Sequence, residues 1–154
     1  MNLWLQSLQE SALAHWAQSA AYPAVITLHS MGLAILVGLL TVINLRVLGF
    51  AGELRLASLR RFMRVVWGGF ALNAVTGLML FSIDAEKDFH SGLFRIKMLC
   101  IALGLLLACL IQERALRANQ ATPAAKIMAG LSLLIWTAAI VSGRLLAYSS
   151  FGDQ

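Results

Sequence analysis

Residues 26–45 read ITLHSMGLAILVGLLTVINL and contain no Asp, Glu, Lys or Arg. A helix needs about 20 predominantly apolar residues to cross the hydrocarbon core of a bilayer, and this stretch has that length. Its single ionisable side chain is His29. The stretch therefore predicts a membrane-spanning helix, which we place at about residues 24–50.

The composition of the whole chain also indicates a membrane protein. The 154 residues are 60% hydrophobic and 12% charged, whereas a soluble domain carries roughly 25% charged residues. So few charges cannot cover a soluble surface, and the high hydrophobicity excludes intrinsic disorder. Three further apolar stretches predict spans at about 65–83, 93–111 and 124–148.

The segments between the predicted spans are short and polar, so neighbouring spans must run in opposite directions. We therefore predict an all-α fold, an integral membrane antiparallel four-helix bundle that forms one domain over residues 1–154. Residues 1–23 mix Leu and Trp with Gln and Ser. We expect them to form a short amphipathic helix in the membrane interface, with Trp4 and Trp16 at the level of the headgroups.

The distribution of positive charge predicts the orientation of the bundle. Eight of the 12 basic residues lie in or beside the loops after the first and third spans: Arg46, Arg55, Arg60, Arg61, Arg64, Arg114, Arg117 and Lys126. The positive-inside rule then places both termini outside, which in a bacterial inner membrane is the periplasmic side. This topology explains the net charge of +5. No basic face interleaved with aromatic residues indicates a nucleic-acid partner.

Small residues recur in the second span at a helical spacing. Gly69, Asn73 and Gly77 are four residues apart and share one helix face. Small residues at this spacing let membrane helices approach closely. We interpret the three as a packing face, on which the Asn73 side chain can form a hydrogen bond with another helix of the bundle.

Ionisable side chains inside a span are costly and usually face the protein interior, so each is a candidate functional residue. His29 is the clearest case, because it lies about 8 Å below the predicted start of its span at 1.5 Å per residue. It is either a cofactor or metal ligand, a proton relay, or an interhelical hydrogen-bonding residue. Arg95, Lys97 and Arg144 lie at the outer ends of their spans, where they either anchor the helix at the headgroups or bind an anion.

The three histidines, His15, His29 and His90, all fall in the predicted outer half of the molecule. Neutral imidazole binds haem iron or copper. A pocket edged by His29 and His90, with Lys97 and Arg144 above it, would suit haem, because the cations would neutralise the propionates. No P-loop, GxSxG, CxxC or HExxH motif is present, so we do not expect an enzyme.

Four segments of the chain carry a resemblance to known proteins: TLHSMGLAILVG (27–38), GFALNAVTGLMLF (69–81), FRIKMLCIALGLLLA (94–108) and SGRLLAY (142–148). On these segments the chain resembles a family of small uncharacterised bacterial four-span membrane proteins. More loosely, it resembles the copper-resistance membrane domain and small haem-binding four-helix membrane proteins. The shared positions include His29, Lys97 and Arg144, and they add Tyr148 to the candidate cofactor-binding residues.

Three functions follow as hypotheses. The first is a haem b protein acting as a redox or electron-transfer component, with His29 as an axial ligand and His90 or Met79 as the second. The second is a copper-handling membrane protein that uses His29, His90 and a Met or His15. The third is a cofactor-free structural or accessory membrane subunit. The expected partners are the lipid bilayer, other membrane or redox subunits, and a second copy of the chain in a homo-oligomer.

Overall fold

A computed structural model describes residues 3–19, 21–50 and 52–152, with side chains up to Tyr148. The described chain is helical apart from short connections and contains no strand. Its α-helices are α1 (Leu3–Gln9), α2 (Ala12–Gln18), α3 (Tyr22–Leu48), α4 (Leu56–Leu59), α5 (Met63–Ile83), α6 (Ala85–His90), α7 (Gly92–Ile111) and α8 (Pro123–Gly152). The predicted all-α fold is confirmed.

Four helical segments are long and apolar enough to cross a membrane, which makes the chain a multi-pass membrane protein. We call them spans 1 to 4, and they cover Tyr22–Leu48, Leu56–Ile83, Gly92–Arg117 and Pro123–Tyr148. Span 2 starts before the predicted residue 65, because a 3₁₀ turn at Arg60–Phe62 joins α4 to α5. Span 3 extends past the predicted residue 111 through a π-helical turn at Gln112–Arg117.

The bundle consists of two helix pairs. Span 1 packs along span 2, span 3 packs along span 4, and the pairs meet where span 1 contacts span 4. In the described part of the chain, spans 2 and 3 do not pack along their length. They contact each other at the inner end, where α4 and the 3₁₀ turn of span 2 meet the π-helical turn of span 3. They also approach at the outer end, which we define as the end with Ile83 and Gly92. There the rings of Phe81 and Phe94 stack with centroids 5.1 Å apart.

The buried apolar core is concentrated in the inner half of the bundle, towards the end opposite Ile83 and Gly92. Its largest side chains come from all four spans: Leu36, Leu40, Ile43, Val47, Met63, Val66, Ile111, Leu116 and Trp136. The outer half is therefore the part in which polar side chains have room between the helices.

The predicted packing face of span 2 is confirmed by its close approach to span 1. A Cβ atom added at Gly69 would lie 3.1 Å from the backbone nitrogen of Leu36. One added at Gly32 would lie 3.0 Å from the backbone nitrogen of Asn73. The two backbones are thus in contact here, which only glycine permits at these positions.

The segment before span 1 forms two short helices instead of the single helix predicted. The break falls at Ser11, whose hydroxyl accepts a hydrogen bond from the backbone N–H of Ala14 at 3.2 Å and so starts α2. α1 packs on α6, and α2 packs along span 2. Trp4 and Trp16 are each 55% exposed, so this outer layer keeps its indole rings at the surface, as expected for the interface.

Candidate functional site

His29 lies in the outer half of span 1 and faces span 2. It is about 10 Å along the helix axis from Tyr22 at 1.5 Å per residue. Its ring Nδ1 is 3.0 Å from the hydroxyl oxygen of Thr76, a buried residue of span 2. Its backbone carbonyl accepts a hydrogen bond from the Asn73 amide at 3.0 Å. Both contacts join span 1 to span 2, so span 2 holds both the ring and the backbone of His29 in place.

The hydrogen bond with Thr76 bears on which ring nitrogen of His29 carries the proton, because either tautomer can form it. The Thr76 hydroxyl has one proton, and it lies 2.7 Å from the Leu72 carbonyl and 3.2 Å from the Asn73 carbonyl of its own helix. When Thr76 donates to its own helix, it accepts from His29, and Nδ1 carries the proton. The lone pair of Nε2 is then free, and no described residue donates a hydrogen bond to it. A histidine that ligates a metal through Nε2 has this tautomer, usually fixed by a second hydrogen bond of this kind.

Gly77 provides the space for the imidazole ring. A Cβ atom added at Gly77 would lie 3.2 Å from Cε1 of His29, which is closer than an ordinary van der Waals contact. Asn73, Thr76 and Gly77 lie three and four residues apart, so they present one face of span 2 to His29. The packing face predicted from the glycine spacing is therefore also the surface that holds the candidate ligand.

Lys97 is the candidate cation that the structure brings towards His29. Its side chain is half-buried and extends along span 4, where a Cβ atom added at Gly143 would lie 3.6 Å from Lys97 Cε. Its positive charge is within electrostatic range of His29 in span 1 and of Asp88 in α6. Lys97 therefore lies inside the outer half of the bundle rather than only at the headgroups.

Asp88 is an ionisable residue of this region that sequence reasoning missed. Burial raises the pKa of the Asp88 carboxyl, and the nearby charge of Asp84 raises it further. The positive charges of Lys97 and Lys87 act in the opposite direction and lower that pKa. α6 thus carries a partly desolvated carboxyl at the outer end of the bundle, close to Lys97.

The other candidate residues lie at the surface. His90 is exposed at the end of α6, where its ring packs edge-on against Phe89 with centroids 5.6 Å apart. His15 and Arg144 are exposed, and Tyr148 is 71% exposed. Within the described chain, no hydrogen bond or ion pair connects these four residues to His29.

Two methionines near His29, Met79 and Met31, are candidate metal ligands that differ in position and exposure. Met79, the other candidate second axial ligand, is half-buried in span 2, about one turn outward from Thr76. Met31 follows His29 in span 1 but is 52% exposed. No three His, Cys, Asp or Glu side chains among the described residues lie close enough together to hold a metal ion.

A second buried polar contact, which no sequence pattern predicts, lies in the inner half of the bundle. The Asn44 amide in span 1 donates a hydrogen bond to the Ser132 hydroxyl in span 4 at 2.9 Å. The Asn44 side-chain oxygen and the indole nitrogen of Trp136 have no partner in the described chain. Both residues are almost completely buried, so this contact fixes how the two helix pairs meet.

No family model, no curated protein and no solved structure matches this chain. The chain is a four-span membrane bundle whose intramembrane histidine, His29, is held by two contacts with span 2.

Proposed function

We propose that this chain is a bacterial inner-membrane protein that binds haem b in the outer half of its bundle and serves as a redox or electron-transfer component. The observation that carries the proposal is the 3.0 Å contact between Nδ1 of His29 and the Thr76 hydroxyl, which also donates to the Leu72 carbonyl. In the tautomer that this arrangement favours, the Nε2 lone pair is free to bind a metal. Haem iron takes a neutral histidine nitrogen as its axial ligand. His29 is the ligand in this proposal, and Thr76 is the residue that orients it.

Haem suits the described residues better than copper does. The porphyrin supplies four of the iron ligands, so a single protein nitrogen completes a five-coordinate site. A protein copper site needs several His, Met or Cys ligands from the chain itself. The described chain brings no such group of three His, Cys, Asp or Glu together, and His90 contacts neither His29 nor Lys97 by a hydrogen bond or ion pair.

Two further features support a planar, apolar, anionic group next to His29. Within the described chain, α5 of span 2 and α7 of span 3 do not pack along their length, so a group seated between them would not have to displace a close helix contact. Lys97 on span 3 is within electrostatic range of His29 and would pair with a propionate. Arg144 and Tyr148 lie at the same outer end but are exposed, and in this proposal they contact a propionate only from the surface.

The proposal includes the orientation of the chain in the membrane, with the His29 site on the periplasmic side. Eight basic residues flank the inner ends of the spans, which by the positive-inside rule face the cytoplasm. Both termini and the His29 site would then lie towards the periplasm. Electron partners would approach from that side, through either a soluble protein or another membrane subunit.

The test is an absorption spectrum of the detergent-purified protein, oxidised and then reduced with dithionite, together with iron and copper analysis. We expect a Soret band, sharpened bands on reduction and iron in proportion to protein. The His29→Ala variant should lose both the bands and the iron, and the His15→Ala variant should keep them. Unchanged iron and spectrum in the His29→Ala variant would refute His29 as the ligand, and copper without a Soret band would favour copper handling.

The His29 contacts also favour a second candidate, a cofactor-free structural or accessory membrane subunit. Nδ1 and the backbone carbonyl of His29 both have partners on span 2, so the side chain is held in place without any ligand. This function is supported if the protein stays colourless and metal-free after expression with haem and copper supplied, and a membrane subunit co-purifies with it.

A further inference from the structure

A groove with a strongly positive wall lies at the inner end of the bundle, far from His29. Its volume is about 490 Å³, and its lining includes Arg60, Arg61, Arg64, Trp67 and Gln112. The three arginines and Trp67 belong to span 2, whereas Gln112 belongs to span 3. The groove therefore lies at the inner end, beside the contact of α4 and the 3₁₀ turn of span 2 with the π-helical turn of span 3, and deeper in the bundle α5 and α7 do not pack along their length.

The three guanidinium groups of the groove have no acidic partner in the described chain. All three arginines are exposed, and none forms an ion pair there. Arg117 at the same end differs, because it pairs with Glu113 at 2.7 Å. Arg60, Arg61 and Arg64 line the same groove, so their like charges repel each other. An anion bound between them would remove that repulsion and accept several charge-assisted hydrogen bonds.

The groove also has an apolar part, formed by Ala57, Met63 and Trp67. Trp67 is half-buried about one turn deeper than Arg64, with its ring edge-on to Phe70 at a centroid distance of 6.0 Å. Tryptophan prefers the headgroup level of a bilayer. A soluble phosphate would make no contact with this apolar part. A phospholipid has both a phosphate for the arginines and acyl chains for the apolar part.

We propose that the groove of Arg60, Arg61, Arg64, Trp67 and Gln112 binds an anionic phospholipid, with its phosphate between the arginines and its acyl chains between spans 2 and 3. The guanidinium groups are planar forks that match phosphate oxygens. A net negative headgroup is preferred over a zwitterionic one, because the groove has three positive charges and no acid. This site is independent of the haem proposal.

The proposal is tested by native mass spectrometry of the full-length protein in detergent with added phosphatidylglycerol or phosphatidylcholine. We expect the wild type to retain phosphatidylglycerol in preference to phosphatidylcholine. Replacing the groove arginines with Gln (R60Q, R61Q and R64Q together) should reduce phosphatidylglycerol retention about tenfold or more. A matched triple variant, R55Q, R114Q and K126Q, removes the same charge from exposed inner residues outside the groove and should retain the lipid.

Further variants and additives separate the alternatives. Equal loss of lipid in both triple variants would overturn the proposal, because the binding would then follow the general charge of the inner face. Displacement of the lipid by inorganic phosphate at equal concentration would also overturn it and assign the groove to a soluble anion. If the groove triple variant does not fold, Arg64→Gln alone is measured in its place, and unchanged retention there overturns the site.

Discussion

Nδ1 of His29 and the Thr76 hydroxyl are 3.0 Å apart across the interface of spans 1 and 2. Because Thr76 also donates to the Leu72 carbonyl of its own helix, a chain of two hydrogen bonds runs from the imidazole to the backbone of span 2. Thr76, a residue of the neighbouring helix, thereby orients the imidazole ring of His29. Substitutions of Thr76 should therefore alter the orientation of the His29 ring although His29 itself is unchanged.

Replacing Thr76 by Val should weaken both the bundle and any cofactor bound at His29. Valine has nearly the same shape but no acceptor, so the Nδ1 proton loses its partner. Interhelical hydrogen bonds in membranes contribute about 0.6–2 kcal/mol, and loss of an orienting partner typically costs about 10–100-fold in metal affinity. Thermal unfolding and haem titration measure the two effects. Thr76→Ser keeps the hydroxyl and should behave as the wild type; equal behaviour of the Val variant would show that the hydrogen bond has no role.

Replacing Gly77 by Ala should displace the His29 ring. The new Cβ atom would lie 3.2 Å from Cε1 of His29, so the ring must shift by a few tenths of an ångström. The matched control is Gly68→Ala, where an added Cβ atom meets nothing within 4 Å, and alanine is the better helix former. We expect Gly77→Ala to lower the thermal midpoint and change the spectrum of bound haem, while Gly68→Ala leaves both unchanged or raises the midpoint. The same result for both variants would contradict the close fit of the ring.

The outer end of the bundle should lose stability as the pH rises above the ordinary pKa of Asp88. Burial, aided by Asp84, raises the pKa of this carboxyl in the folded protein. The folded state therefore binds more protons than the unfolded state between the ordinary and the raised pKa, and stability falls as the pH increases through that window.

Thermal unfolding as a function of pH measures this effect. Asp88→Asn should be more stable than the wild type above the window and should lack the pH-dependent decrease within it. Glu86→Gln removes the same charge from the same helix and should retain the decrease. A wild-type stability that rises with pH through this window would show that ionised Asp88 is stabilised in the fold, for example by Lys97.

The contact of Asn44 with Ser132 predicts a non-additive pair of substitutions. Ser132→Ala leaves the buried Asn44 amide without its partner, which costs about 1–3 kcal/mol. Adding Asn44→Leu removes the stranded polar group as well and should restore much of the lost stability. Unfolding of the two single variants and the double variant gives the coupling energy. Simple additivity would mean that the two side chains do not interact.

The fold was predictable because span length and charge distribution are properties of single segments. His29 was singled out for the same reason, since an ionisable residue inside a span is conspicuous on its own. The spacing of Gly69 and Gly77 also predicted the packing face that the structure confirms. Each of these features needs only the residues of one helix.

The remaining features depend on which helix faces meet. Thr76 could not be predicted as a partner of His29. The hydroxyl of a threonine in a span can donate to a backbone carbonyl of its own helix, as Thr76 does to Leu72, so a threonine in the sequence does not indicate a contact with another helix. Asn44 and Ser132 are 88 residues apart, and their contact depends on how spans 1 and 4 pack. The exposure of Arg144 and Tyr148 likewise follows from the rotation of span 4, which the apolar pattern does not determine.

The pairing of span 1 with span 2 and of span 3 with span 4 has a consequence for biogenesis. Each hairpin has its own close helix contact, at Gly32 and Gly69 in the first and at Gly104 against Trp136 in the second. The nascent chain can therefore complete the first hairpin before the second has left the ribosome. We therefore expect the seam around Asn44 and Ser132 to close last, after both hairpins have been inserted into the bilayer.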